Sequence, residues 1–109
     1  MDIAFHSRSL RDICESEEML NQHFGKQVGD SVKRRLADLR AAVSITDLVI
    51  GNLHELRNEL RTTLCLDLSE GYSLLFAANY VKAPIGANNR VNWSAVTRVK
   101  VMSIEKRDD

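Results

Sequence analysis

The spacing of apolar residues changes partway along the chain, and this change is what most narrows the possible folds. Up to about residue 43, apolar side chains recur every three or four positions, which predicts amphipathic helices. From Thr63 to Leu68 they alternate with other residues, and a nearly continuous apolar run follows over residues 72–78. Alternation with a period of two is typical of β-strands. The sequence therefore predicts an α+β domain in which helices precede most of a sheet.

The helical part predicts a hairpin of two antiparallel helices joined at Gly25. The first helix should begin at Ser9, because Ser9 and Asp12 have the spacing of a capping box, and should end at Gly25. The second helix should run over residues 26–42. Its apolar stripe consists of Val28, Val32, Leu36, Leu39 and Val43. A second Ser-x-x-Asp, from Ser44 to Asp47, predicts one short helical turn afterwards.

The remaining segments predict strands. Residues 2–6 should form a short first strand, residues 64–78 a β-hairpin turning at Ser69–Gly71, and residues 96–104 a last strand. Residues 54–57 are a candidate for a further short strand. We therefore expect the helical hairpin to pack on one face of a mostly antiparallel sheet of about four strands. The predicted core includes Leu36, Leu39, Leu66, Leu74, Phe76 and Val101.

Length and composition exclude several classes of protein. A chain of 109 residues fits one domain, over residues 1–109. Cys14 and Cys65 lie far apart within apolar patterns, so we expect two buried, reduced thiols. Three scattered histidines predict no zinc site, and we expect no cofactor. No apolar window approaches the roughly 18 residues of a membrane span, and no signal-peptide pattern opens the chain, so we expect a cytoplasmic protein.

Charge is distributed unevenly along a chain whose formal net charge is zero. Residues 79–107 carry six basic residues against one acidic residue, a net charge of +5. This asymmetry favours a surface for a polyanion in the C-terminal third. A solvated charged face without any partner is the alternative. The loop over residues 79–92, which contains the only proline, is unusually long for so small a domain and is a candidate functional segment.

Several short segments, in the right order, resemble the RelE/ParE toxin superfamily. They are His54-Glu55-Leu56-Arg57, Leu66-Asp67-Leu68 and residues 71–76. Residues 40–42 and 92–97 resemble its HigB-like branch, the plasmid-maintenance "killer proteins". The resemblance covers nearly the whole chain. It implies the growth-inhibiting toxin component of a bacterial type II toxin–antitoxin system.

The resemblance also implies a reaction and partners. Most such toxins cut mRNA in the ribosomal A site as metal-independent endoribonucleases, with the RNA 2′-hydroxyl attacking the adjacent phosphate. The implied partners are the ribosome, mRNA and a cognate antitoxin of the helix-turn-helix kind. The implied catalytic residues are Arg57, Arg61, Lys106, Arg107 and His54. The cations expected to bind RNA are Lys82, Arg90, Arg98 and Lys100.

Two positions depart from the pattern of the superfamily. Ser73 stands where an arginine usually follows the tyrosine of the hairpin, and no tyrosine or histidine follows the last strand. Three functions therefore remain open. The chain is a ribosome-dependent mRNA endonuclease with an altered site, a non-catalytic toxin that inhibits gyrase or another protein, or a decayed toxin that retains only antitoxin binding.

Overall fold

The apolar face of a five-stranded sheet lies against three N-terminal helices in the computed structural model, which describes residues 1–55, 63–86 and 90–107. Within these residues the helices are α1 (Arg8–Cys14), α2 (Glu17–Phe24) and α3 (Lys26–Ala41). The strands are β1 (Asp2–Phe5), β2 (His54–Glu55), β3 (Thr63–Asp67), β4 (Tyr72–Ala78) and β5 (Arg98–Lys106). The predicted α+β architecture, with N-terminal helices on one face of a sheet, is confirmed.

The first predicted helix is in fact two short helices. The hydroxyl of Ser7, not that of Ser9, caps α1 by accepting a hydrogen bond from the Leu10 amide at 3.1 Å. The hydroxyl of Ser16 then caps α2 by accepting from the Met19 amide at 3.2 Å. A serine that bonds the amide three residues later starts a new helix, so the chain breaks at Ser16 although its apolar spacing continues.

The sheet is mixed rather than simply antiparallel, with the strand order β1-β5-β4-β3-β2. Neighbours β2 through β5 pair antiparallel, whereas β1 runs parallel to β5, with Ile3 opposite Val99 and Phe5 opposite Val101. The three helices follow β1 and lead to β2 at the opposite edge of the sheet, and β3 and β4 come next before β5 pairs with β1. Three of the four pairings in the described sheet are antiparallel, as predicted, and the candidate short strand at residues 54–57 is present as β2.

All six residues predicted for the core are buried: Leu36, Leu39, Leu66, Leu74, Phe76 and Val101. Phe76 contacts Trp93 edge to face, with ring centroids 6.3 Å apart. Cys14 and Cys65 are also buried and unpaired with each other, as predicted. Val43 is a wrong assignment, because 77% of it is exposed. The helix ends at Ala41, so its stripe no longer extends to residue 43.

The connections between elements include 3-10 turns and a short bridge within a loop. The predicted capping box of Ser44 and Asp47 is present and begins a turn of 3-10 helix over Ile45–Asp47. In the loop after β4, a bridge between Ile85 and Val91 folds the chain back on itself. The last strand starts two residues later than predicted, at Arg98, because Trp93–Ala95 forms another 3-10 turn before it.

Candidate functional site

The sheet has one face against the helices and one face turned away from them. Val99 and Val101 point into the core and are fully buried. Side chains alternate across a strand, so Lys100 belongs to the opposite face, which we call the open face. Register places on the open face Cys65 and Asp67 of β3 and Ser73 of β4. The open face is therefore where polar chemistry can occur without disturbing the core.

At one end of the open face, contacts among four residues link three separate segments. The Arg107 guanidinium pairs with one carboxylate oxygen of Asp67. The Asn52 amide donates to the other oxygen of Asp67 at 3.1 Å. The His54 ring lies with its Nδ1 2.7 Å from the Asn52 carbonyl oxygen. We call Asn52, His54, Asp67 and Arg107 the Asp67 cluster.

Backbone geometry explains how the connection before β2 delivers Asn52 to this cluster. Gly51 and Asn52 both have positive φ, +103° and +50°. Glycine and asparagine are the residues that tolerate such backbone best. The carbonyl of Gly51 accepts a hydrogen bond from the Asp67 amide at 2.6 Å. Asp67 therefore holds this turn through its backbone amide, which bonds Gly51, and also through its side chain, which bonds Asn52.

The orientation of His54 follows from its partner. A carbonyl oxygen can only accept a hydrogen bond, so the proton of the neutral imidazole resides on Nδ1. The lone pair of the ring is then on Nε2, and His54 is exposed to solvent. The ring is thereby arranged as a proton acceptor at the edge of the open face.

Ser73 lies on the central strand β4, at the same end of the open face as the Asp67 cluster and between two carboxylates. It pairs in register with Asp67 on one side and Glu105 on the other. Only 3% of Ser73 is exposed, and its hydroxyl has no hydrogen-bond partner among the described residues. The Glu105 carboxylate accepts from the Ser103 hydroxyl at 2.5 Å. Where the superfamily pattern has a cation, this chain has a small neutral residue flanked by acids.

The two basic residues at the end of β5 separate. Arg107 joins the Asp67 cluster, while the Lys106 ammonium lies 6.0 Å from the ring centroid of Tyr72. Tyr72 in turn contacts Phe24 of α2, with ring centroids 5.7 Å apart, so it belongs to the helical side. Neighbouring residues of a strand point to opposite faces. Lys106 and Arg107 therefore contact groups on opposite sides of the sheet.

The other predicted cations are spread along the open face and its loop. Lys100 is half-buried, between Ala4 and Ala77 in register. The Arg98 guanidinium stacks over the Tyr80 ring, 4.2 Å from its centroid. Arg90 is 3.8 Å from the Glu55 carboxylate, and Lys82 is exposed. Arg57 and Arg61, both predicted as catalytic, lie outside the described residues.

Tyr80 is the most perturbed titratable group near this face. Its hydroxyl oxygen lies 3.2 Å from the Thr97 hydroxyl and accepts from the Thr97 amide at 2.8 Å. Hydrogen bonds from the Thr97 side chain and backbone, with a smaller contribution from Arg98, lower the pKa of Tyr80 to about 8. Donors to the oxygen favour its charged form. An acidic phenol beside a stacked arginine makes this corner of the domain polar as well as aromatic.

Concave surfaces elsewhere are shallow. A groove of about 870 Å³ follows β1 and the start of α1, lined by residues including His6, Arg8, Arg11, Asp12, Glu15 and Arg40. A smaller one of about 200 Å³ lies at the end of α3, beside Val49 and Ile50. In the described part of the chain, no group of three or more His, Cys, Asp or Glu could hold a metal ion. Nor is any described helix long and apolar enough to cross a bilayer.

Sequence reasoning missed Asn52, Asp67 and Ser103 as site residues. Asp67 had a usable signal, because alternation with the leucines of β3 puts it on the face away from the core. Asn52 had only the weak signal of a Gly-Asn pair before a strand. Nothing in the sequence pairs Asp67 with Arg107, which is forty positions away along the chain.

Comparison with known proteins identifies the architecture. No protein-family model matches the chain, and no curated protein matches it. Among solved structures, the YoeB dimer from Staphylococcus aureus matches with a TM-score of 0.57 and 13% identity, over 99% of this chain and 98% of that one. The YoeB–YefM complex from the same organism matches with a TM-score of 0.56, at the same identity and coverage. The chain thus has a RelE/YoeB-like fold.

Proposed function

We propose that this protein is the toxin component of a type II toxin–antitoxin system and that it acts on RNA through its open face. The observation that carries the proposal is the RelE/YoeB-like fold over 99% of the chain, in agreement with the ordered motifs of the sequence. The solved complex of YoeB with YefM supports a protein partner for this chain too, namely a cognate antitoxin. Within the superfamily, assignment to the HigB-like branch rests on the sequence motifs alone.

The proposed reaction is cleavage of mRNA on the ribosome. The RNA 2′-hydroxyl gives up its proton and attacks the adjacent phosphorus, and the 5′-oxygen of the next nucleotide leaves with a proton. The products are a 2′,3′-cyclic phosphate and a 5′-hydroxyl. The chemistry needs a base, an acid and positive charge at the phosphoryl oxygens.

The open face supplies candidates for these roles. His54, whose Nε2 holds the lone pair, is the proposed base. Lys100 and Arg107 are the proposed cations for the phosphoryl oxygens, and Arg fits them best because its planar fork matches two oxygens. Arg98, stacked on Tyr80, offers its outer surface to a base of a single strand. Arg57 and Arg61 are proposed to add charge on the strength of the resemblance alone.

A second candidate is a toxin that binds a protein target such as gyrase and cuts nothing. Two observations favour it. Ser73 replaces the usual cation beside the Asp67 cluster, and Asp67 already neutralises Arg107. Under this alternative the domain keeps growth inhibition and antitoxin binding, while the end of the open face that carries Asp67 and Glu105 contacts the target.

The experiment is induction in a bacterial host, alone and together with the neighbouring reading frame. The proposal predicts growth arrest alone, and relief with a stable co-purifying complex when both are present. Arg107→Ala and Lys100→Ala should each reduce toxicity about ten- to a hundredfold, since a charge-assisted contact contributes about 1.5–3 kcal/mol. Arg34→Ala, an exposed change on α3, is the matched control and should leave toxicity unchanged.

RNA 5′-end mapping in the same cells separates the two candidates. New ends inside translated codons support the endonuclease, whereas arrest with intact messages supports the protein-binding toxin. Absence of both arrest and a complex with any neighbouring product would refute the toxin assignment itself.

A further inference from the structure

We propose that the end of the open face holds an anion site formed by Arg107 and Asn52, and that the Asp67 carboxylate occupies this site in the free protein. The ligand class is a phosphate or phosphodiester oxygen, which must displace Asp67 to bind. The inference rests on the proposed function for its biological ligand. Its chemistry can be tested without that function, with inorganic phosphate.

The geometry of Asp67 is that of a bound anion. Both carboxylate oxygens are engaged, one by the Arg107 guanidinium and the other by the Asn52 amide at 3.1 Å. These two donors come from segments far apart in sequence and converge on one group. A tetrahedral phosphate presents oxygens at similar separation and accepts from the same two donors.

The site is accessible from solvent. The side chains of Arg107 and Asp67 are 35% and 28% exposed, respectively. A partly exposed ion pair is screened by water and contributes little to stability, so an incoming anion can replace the carboxylate at modest cost. A fully buried pair would resist such an exchange because one charge would be left without compensation.

The backbone that carries Arg107 is held independently of the Asp67 side chain. Its backbone amide donates to the Gly71 carbonyl at 2.8 Å, which fixes the end of β5 against the turn before β4. Asn52 is likewise fixed by its own turn, in which the Gly51 carbonyl accepts from the Asp67 backbone amide rather than from its side chain. Neutralising the carboxylate should therefore leave both donors in place and open to another anion.

The consequence is an internal competitor. In the free protein, the Asp67 carboxylate lowers the affinity of the open face for phosphate. Replacing Asp67 with the neutral isostere asparagine should raise that affinity. The serine at position 73 fits this arrangement. A longer, positively charged side chain there would lie between Asp67 and Glu105 and would compete with Arg107 for the Asp67 carboxylate.

The test is titration of the folded protein with inorganic phosphate, followed by NMR of the arginine Nε–H signals. In Asp67→Asn, the Arg107 signal should shift with an affinity about tenfold tighter than in the wild type, the gain expected for freeing one charge-assisted donor. Glu105→Gln is the matched control, since it removes one charge from the same face but bonds Ser103 instead. Its affinity should stay within about twofold of the wild type, because a general charge effect between exposed groups is screened.

The double variant Asp67→Asn/Arg107→Ala completes the double-mutant cycle and should show no gain in phosphate affinity over the wild type. Equal gains in Asp67→Asn and Glu105→Gln would reduce the effect to net charge and overturn the proposal. An unshifted Arg107 signal in Asp67→Asn would also overturn it. If phosphate binds Asp67→Asn as expected, while induction of the wild-type protein causes no growth arrest and yields no complex with a neighbouring product, the anion site stands and the toxin assignment fails.

Discussion

Replacement of Gly51 by alanine tests whether the turn that carries Asn52 is held as tightly as the structure requires. Gly51 has φ of +103°, a region that side-chain-bearing residues rarely adopt. A Cβ built at this position would lie 3.1 Å from Leu66 Cδ2 and 3.2 Å from Arg35 Cδ. Leu66 is fully buried, so it has little freedom to move away.

The magnitude has two parts. Forcing alanine into a sparsely populated backbone region costs about 1–3 kcal/mol. Overpacking against a fixed core side chain costs about another 1–3 kcal/mol. Gly51→Ala should therefore lower the free energy of unfolding by about 2–6 kcal/mol in total.

Gly71 supplies the matched control. Its φ is +77°, nothing lies within 4 Å of its ideal Cβ, and its carbonyl also accepts a backbone hydrogen bond, from Arg107. Gly71→Ala should incur the backbone cost alone, about 1–3 kcal/mol. The assay is urea unfolding followed by tryptophan fluorescence, with the slope of the transition checked for constancy. If Gly51→Ala were no less stable than Gly71→Ala, the close packing of this turn on β3 would be wrong.

Three further outcomes are expected. Phe76→Ala should lower the free energy of unfolding by about 3–5 kcal/mol, because it removes a fully buried ring that contacts Trp93. The control Val81→Ala changes an exposed residue and should lower it by less than about 0.5 kcal/mol; equal effects in urea unfolding would contradict the assigned core. An ultraviolet titration should show one tyrosine ionising near pH 8, since the Thr97 hydrogen bonds lower the pKa of Tyr80. Tyr80→Phe should abolish this step and Thr97→Val should move it to higher pH, whereas a first step near pH 10 in the wild type would refute the lowered pKa. Burial raises the pKa of Cys14 to about 11, so the native thiol should resist a disulfide reagent at pH 8 until urea unfolds the chain; rapid modification of a Cys65→Ser variant under native conditions would show that Cys14 is accessible.

Local periodicity was enough to predict those parts of the fold that local rules determine. The stripe of α3 from Val28 to Leu39 and the β3–β4 hairpin were evident from spacing and turn residues. The break at Ser16 was not, because apolar residues continue at helical spacing across it and only the capping serine ends the first helix. The pairing of β1 with β5 joins the two ends of the chain, and no local pattern specifies such a contact.

The candidate site was predictable to a smaller extent. Strand alternation correctly put Lys100 on the face opposite Val101. The same rule, applied to Lys106 and Arg107, predicts opposite faces for them, although the resemblance had grouped them together. Arg107 reaches Asp67 because the end of β5 and the end of β3 lie on either side of β4 in the sheet. Neither residue spacing nor composition specifies this tertiary arrangement.

The most direct test of the central proposal is a purified translation reaction programmed with one defined message. Primer extension should reveal cuts inside codons when the protein and translating ribosomes are both present, and none when ribosomes are omitted. Replacing the wild type with Arg107→Ala should slow the cutting about ten- to a hundredfold. Addition of the neighbouring gene product should abolish the cuts. A message that stays intact in the complete reaction, while expression of the same protein arrests growth in cells, would contradict RNA cleavage and leave the protein-binding toxin.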